Sequence, residues 1–362
     1  MIVKNTLMVI GNGFDLQCGL NSCYESFCDW LNKDTTRANS NIWAVHFLNA
    51  QCNDEHWAGV ERQLHKTLNG ATNRSNEITG TNYLNITLPK LWNESTISYF
   101  KRTSGRPASN EVEYLIKNSS KIGRASFPLD SYWFLDELKV FERQFSDYLQ
   151  EEVASNKNYV DNAAKLMKMM SSNEDRIHLL SFNYTNPFKL DSSIPADNAK
   201  DNIIKDITNV HGTYYERNII FGIDATETLS SDTYIFSKTY RKMLQNTQKN
   251  TLPPNVEAIK FYGHSLEQAD YSYFQSIFDY YNLYEGRRID SWGSINPVTL
   301  QFYYTVYDDS KETEIKRDAT DSVYRLISTY GDKFDNKDKG KNLMHKLLLE
   351  GRVQIIFLEK LD

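Results

Sequence analysis

Near its start the chain carries the run Thr6-Leu7-Met8-Val9-Ile10, and the run stops at Gly11-Asn12-Gly13. A nearly continuous apolar stretch of strand length has no polar face to turn to water. It suits a strand covered on both sides, as in a parallel sheet. Glycines directly behind it punctuate the strand. Apolar residues then recur at Leu20, Tyr24, Phe27 and Leu31, close to helical spacing. The opening thus reads strand, glycine turn, helix.

Strand patterns resume at Arg176 to Phe182, Ile207 to Val210, Asn218 to Phe221, Ala258 to Tyr262, Val298 to Tyr304 and Val353 to Leu358. Helical patterns fit at Leu266 to Leu283, Ser322 to Tyr330 and Lys341 to Leu349. Alternation of this kind favours a mostly parallel sheet flanked by helices. Between residues 32 and 173 the spacing instead predicts helices, at Trp43 to Phe47, Val60 to Leu68 and most clearly Ser131 to Val153. In that last stretch Phe134, Leu138, Phe141, Phe145 and Leu149 share one face. Residues 69–128, rich in Asn, Ser, Thr and Gly, read as loops with short elements. The expected architecture is a single Rossmann-like α/β domain over residues 1–362, with 32–173 a largely helical insertion after the first strand.

Composition narrows the function classes. With 362 residues, 40% of them hydrophobic, the chain can bury a sizeable core. Its 41 basic and 47 acidic residues leave a formal charge of -6, so it has no basic surplus for broad binding to a phosphate backbone. The apolar run Leu7 to Ile10 falls far short of the ~20 residues that span a bilayer, and the N-terminus has no charged-then-apolar leader pattern. A cytoplasmic protein without a membrane partner is expected. Cys18, Cys23, Cys28 and Cys52 lack the CxxC spacing of a zinc site, and the seven histidines form no HExxH pattern, so no metal is expected. The thiols are expected to be reduced. The 13% aromatic content suits a homo-oligomer interface and a large core equally well.

Four polar stretches stand at predicted strand ends, where open α/β sheets bind ligands. In Gly11-Asn12-Gly13-Phe14-Asp15 the glycines would let a ligand approach the backbone, amides at the helix start would attract phosphate, and Asp15 could accept from ribose hydroxyls; an ordinary tight turn with a capping Asp reads equally well. Asn183, in Ser181-Phe182-Asn183-Tyr184-Thr185, occupies a functional position, although Asn also commonly turns a chain. His211, in Asn209-Val210-His211-Gly212-Thr213, could act as a general base or serve as a turn or core residue. Phe261-Tyr262-Gly263-His264-Ser265-Leu266, with Asp270 beyond it, could form a second nucleotide-facing loop. Convergence of the four on one rim would make a site.

Val9-Ile10-Gly11-Asn12-Gly13-Phe14-Asp15-Leu16, followed by Gly19-Leu20, Ser22, Tyr24 and Phe27, resembles the opening motif of the AbiH family of bacterial phage-defence proteins. So do Phe182-Asn183-Tyr184-Thr185-Asn186, Val210-His211-Gly212, Ile220-Phe221-Gly222 and Gly263-His264-Ser265-Leu266; Trp57 with Glu61 and the Asn342 to Ile356 ending fit too. AbiH proteins are in turn distantly similar to the sirtuin-like NAD-binding domains. That resemblance implies a sirtuin-like Rossmann fold and an NAD glycohydrolase activity that starves an infected cell. It assigns catalytic roles to Asn183 and His211. Gly11, Asn12, Gly13, Phe14, Asp15, Gly263, His264, Ser265 and Asp270 would bind the nucleotide.

Three departures are plain: the four-cysteine zinc module of sirtuin deacetylases is missing, Thr185 stands where the related pattern has Asp, and Asn12 and Phe14 replace small residues. Glu61 and Glu142 are further carboxylates, expected on an exposed helix face. The competing reading is a non-catalytic nucleotide sensor that regulates a partner in phage defence; a nucleic-acid-directed toxin is disfavoured by the acidic balance. A latent effector also implies a trigger, either a phage component or a co-encoded defence protein.

Overall fold

Alternation along one strand sets the frame of the sheet. In β1 (Lys4–Ile10), Leu7, Met8, Val9 and Ile10 are each at most 1% exposed. Leu7 and Val9 enter one core while Met8 and Ile10 enter another on the opposite face. A strand buried on both faces needs no polar alternation, which is why this stretch reads as an unbroken apolar run.

The computed structural model describes residues 4–38, 41–49, 64, 83–86, 127–171, 175–188, 204–223, 234–245, 250–266, 270–288 and 295–361. The expected helix at Val60 to Leu68 and loops at 69–128 therefore lie almost wholly outside the described residues, as do Cys52, Trp57 and Glu61. After β1 come α1 (Asn12–Gln17), α2 (Tyr24–Asn32), α3 (Thr35–Ala38), α4 (Ile42–Asn49), β2 (Tyr83–Ile86) and β3 (Phe127–Asp130). Then follow α5 (Ser131–Ser155), α6 (Tyr159–Met169), β4 (Asp175–Ser181), β5 (Ile204–Asn209), α7 (Lys238–Leu244) and β6 (Ala258–Tyr262). The chain ends with α8 (Tyr271–Tyr280), β7 (Arg287–Arg288), β8 (Ile295–Asn296), β9 (Thr299–Thr305), α9 (Glu312–Gly331), α10 (Lys337–Leu349) and β10 (Val353–Leu358).

Six strands form one sheet in the order β10-β9-β6-β1-β4-β5, and every pairing is parallel. Counted along the chain, these strands lie in the doubly wound order 6-5-4-1-2-3, with the reversal between β1 and β6. The fold is α/β and Rossmann-like. On one face Leu7, Val9, Ile259, Phe261, Leu300 and Phe302 pack against α8, α9 and α10. On the other, Met8, Ile10, Ile177 and Leu179 meet Phe14 of α1 and Tyr159, Ala163, Leu166 and Met167 of α6.

The chain clusters into two compact units. The first holds residues 1–21, 152–210 and 248–362, including the whole sheet; the second holds 22–151 and 211–247. Residues 152–173, from the end of the expected insertion, thus belong with the sheet, where α6 covers it. The second unit has an aromatic core: the Phe27 ring lies 5.3 Å from Phe141 and 5.0 Å from Phe145, and Phe221 lies 5.8 and 5.4 Å from the same two. Among the described residues no helix is long and apolar enough to cross a membrane.

Two expectations from the sequence change in the structure. The first helix does not run on to Leu31. It stops at Gly19, in the left-handed region at φ +84, where Gly19 N donates to Leu16 O and Leu20 N to Asp15 O, a Schellman end. Asn218 to Phe221 is not a strand. Ile220 N donates to His211 O, and Phe221 N donates to the Glu142 carboxylate at 2.7 Å, so the segment's amides are satisfied outside any ladder.

Candidate functional site

The two central strand ends of the first unit meet backbone to backbone. β1 runs into Gly11 and β6 into Gly263. Gly11 N donates to Tyr262 O at 3.0 Å, Gly13 N to Gly263 O at 2.7 Å and Phe14 N to Gly11 O at 2.9 Å. A Cβ on Gly11 would stand 2.7 Å from His264 Cα, and one on Gly13 would stand 2.8 Å from Gly263 Cα. The close approach that these glycines permit is therefore made by the 263–264 loop, and the Gly11 and Gly13 amides are donated inside the protein. Gly263 itself sits at φ +67, with space for a Cβ closed off 2.3 Å away by Phe14 N. Gly263→Ala is expected to destabilise the sheet unit by about 2–4 kcal/mol, read as a lower urea midpoint. Phe14 is fully buried, its ring edge-on to Tyr262 at 6.1 Å, so it is a core residue of this turn.

Asp15, one turn into α1, is the polar centre of the unit. It is 1% exposed. Tyr159 Oη donates to Oδ1 at 2.7 Å and Thr185 Oγ1 to Oδ2 at 2.6 Å. Tyr159 and Thr185 also lie 3.0 Å apart, hydroxyl to hydroxyl. Burial raises the Asp15 carboxyl from 3.8 to about 6; Thr185, Tyr159 and, more weakly, Asn183 hold it down against that push. The same burial, followed by the Asp15 charge, drives the Tyr159 hydroxyl well above its ordinary range.

Asn183 follows β4, the neighbour of β1. It is 3% exposed, and neither Nδ2 nor Oδ1 has a hydrogen-bond partner. The amide lies within reach of Asp15 and weakly favours its charge. A buried primary amide left unpaired costs about 1–3 kcal/mol per group. Such groups are rare enough in folded proteins that each calls for a reason, and a ligand is one.

His264 makes contacts to Leu266 and Asp270. Its Nδ1 accepts from Leu266 N at 3.0 Å, which leaves the proton on Nε2, 3.3 Å from Asp270 Oδ2. The imidazole packs edge-on to Phe182 at 4.9 Å and Phe274 at 4.8 Å. Both ring nitrogens are thus engaged by Leu266 and Asp270, whereas Ser265 is exposed. His211 belongs to the second unit, is 3% exposed, and precedes Gly212 at φ +84.

Asp15 and Asn183 follow the paired strands β1 and β4, and Tyr159 and Asn209, to which the sequence pattern gives no role, join them only in the fold. Tyr159 lies 144 residues from Asp15, and no local pattern links them. Glu142, expected on an exposed helix face, is instead buried in the second unit. Glu142 is 4% exposed and takes a bidentate contact from Arg241, which donates in addition to Phe221 O at 2.8 Å. Among the described residues, no group of three metal-ligating side chains occurs.

The motifs on these loops match a protein-family model, bacteriophage abortive infection AbiH, over residues 7–288. The chain belongs to the AbiH family. No curated protein and no solved structure matches it. The AbiH match takes in every candidate site residue, from Gly11 through Asn183 and His211 to Asp270, and ends before β9, α9, α10 and β10. Membership assigns this AbiH chain a role in abortive infection by bacteriophage.

Proposed function

We propose that this AbiH protein carries out its abortive-infection role by binding NAD and hydrolysing it at the nicotinamide–ribose bond, with Asp15 and Asn183 as the working groups. The observation that carries the reading is the pairing of an orphaned, buried amide at Asn183 with a buried carboxylate at Asp15, on neighbouring strand ends of a doubly wound sheet.

The fit to NAD is uneven along the molecule. The Gly11 and Gly13 amides donate to Tyr262 and Gly263 carbonyls, so they do not supply a pyrophosphate cradle. The nucleoside end fits better. Asp15 uses one acceptor site on each oxygen for Tyr159 and Thr185, which leaves further lone pairs for a ribose hydroxyl or a water. Asn183 brings an unused donor and an unused acceptor to a carboxamide, a hydroxyl or the attacking water. Ser265, exposed two residues after Gly263, is a contact for the adenosine part. His211 lies on the second unit, and the reading rests on the first unit alone.

The chemistry asks little of the leaving group. The nicotinamide ring nitrogen is cationic in NAD and departs neutral with the bonding electrons, so no acid is required there. The transition state places positive charge on the ribose ring. An ionised Asp15 beside it stabilises that charge in a water-poor setting. Water adds to the anomeric carbon, and its proton passes to Asp15, whose carboxyl near 6 is matched to proton transfer at neutral pH. Nicotinamide and ADP-ribose are the products. The Asn183 amide is shielded from solvent, which fits an effector kept shut until a phage component or a co-encoded protein triggers it.

The test is nicotinamide release from NAD by the full chain, alone and with phage lysate. Asn183→Ala is expected to lower kcat by about 100- to 1,000-fold. It should not lower the unfolding free energy, because the amide makes no bonds to lose and leaving it unpaired costs about 1–3 kcal/mol per group. Tight NAD binding with no turnover under any trigger would favour the sensor reading over the enzyme.

A further inference from the structure

Asn209 closes β5, and its side chain reaches across to the turn that follows β4. Its Nδ2 donates to Asn183 O at 2.9 Å and to Thr185 O at 2.8 Å. Both hydrogens of one amide are thereby spent on carbonyls two residues apart. Flipping the amide would set its oxygen against those two carbonyl oxygens, so the neighbours fix its orientation. Around it, Val210 N donates to Ser181 O at 2.8 Å, and Asn209 itself is in register with Ser181.

Both residues it grips belong to the site just described. One carries the unpartnered amide. The other donates its hydroxyl to Asp15 at 2.6 Å and is the largest of the influences that hold the Asp15 charge. We propose, resting on the reading above, that Asn209 is the positioning residue of this site: it fixes the backbone that aims the Asn183 amide and seats the Thr185 hydroxyl on Asp15. It touches no reacting atom and acts through its neighbours.

A purely structural role and a positioning role differ in what they move. Loss of the clamp lets Thr185 drift from Asp15, and a carboxylate that loses a donor becomes harder to ionise. The groups facing Asp15 are Tyr159 from α6, Thr185 and Asn183 from the turn after β4, and Cys18 at the end of α1. Of these, Asn209 holds Thr185 and Asn183.

The experiment follows the titration of Asp15 itself, by carboxyl-carbon NMR, in the wild type, Asn209→Ala and Asn209→Asp. Leu326→Ala, which empties a buried site in α9, serves as a destabilised control. Both Asn209 variants are expected to titrate at least about half a pH unit higher, while the Leu326 variant unfolds more easily with its midpoint unmoved. In turnover, Asn209→Ala should lower kcat about 10-fold or more and leave KM nearly unchanged. An unchanged Asp15 midpoint in both Asn209 variants overturns the proposal. Because the titration needs no substrate, that result is separate from failure of the NAD reading, which would appear as absent nicotinamide release in the wild type.

Discussion

Asp15→Asn is expected to yield a protein more stable at pH 8 than the wild type and unable to release nicotinamide. The Asp15 carboxyl titrates near 6 in the folded chain against 3.8 for the ordinary group. The fold thus favours the neutral acid. Its contribution to stability is fully present below about pH 4 and is lost as the pH rises through about 6. Holding the ionised carboxylate in this buried place costs about 3 kcal/mol at pH 8. An Asn at this position keeps the shape without the charge, and the Tyr159 and Thr185 hydroxyls can rotate to meet it. The advantage of the variant over the wild type should widen by about 2 kcal/mol between pH 4 and pH 8 in urea unfolding. A gap that stays constant with pH would show that Asp15 is not held near 6. Stability gained together with activity lost is the signature of a charge kept for function.

Glu142→Ala is expected to cost the second unit about 3–5 kcal/mol. The change leaves the Arg241 guanidinium buried without its carboxylate, and it strips the Phe221 amide of its acceptor. Phe221 sits against Phe141 and Phe145, so the loss is delivered to the aromatic core. Urea unfolding checks it. A loss below about 1 kcal/mol, as for an exposed ion pair, would contradict the burial described. Arg241→Ala should be similarly costly.

The sheet was largely legible in the sequence. Ala258–Tyr262 and Val353–Leu358 have the bounds that their apolar runs suggest, and β1, β4 and β9 differ by a residue or two. Buried parallel strands announce themselves because both faces are apolar. Asn218 to Phe221 looked the same on composition, but its amides are taken by His211 and by Glu142, the latter 79 residues away and beyond any window of sequence. The glycine turn was legible as a turn. Its partner was not: the glycines admit the 263–264 backbone, and only tertiary structure brings residue 13 to residue 263. Asn183 and Asp15 stood out as polar residues at strand ends. Tyr159, Thr185 and Asn209 gain their roles from contacts between separate segments, which linear spacing cannot encode.

The central claim is that Asp15 and Asn183 cleave NAD, and nicotinamide release measured from pH 5 to pH 8 tests it most directly. The wild type, under its trigger, should show a rate that climbs through about pH 6 as Asp15 loses its proton and then levels. Asp15→Asn should abolish release and Asn183→Ala should cut it by about 100- to 1,000-fold, both while remaining folded. Release that is flat across this range and survives both substitutions would contradict the account.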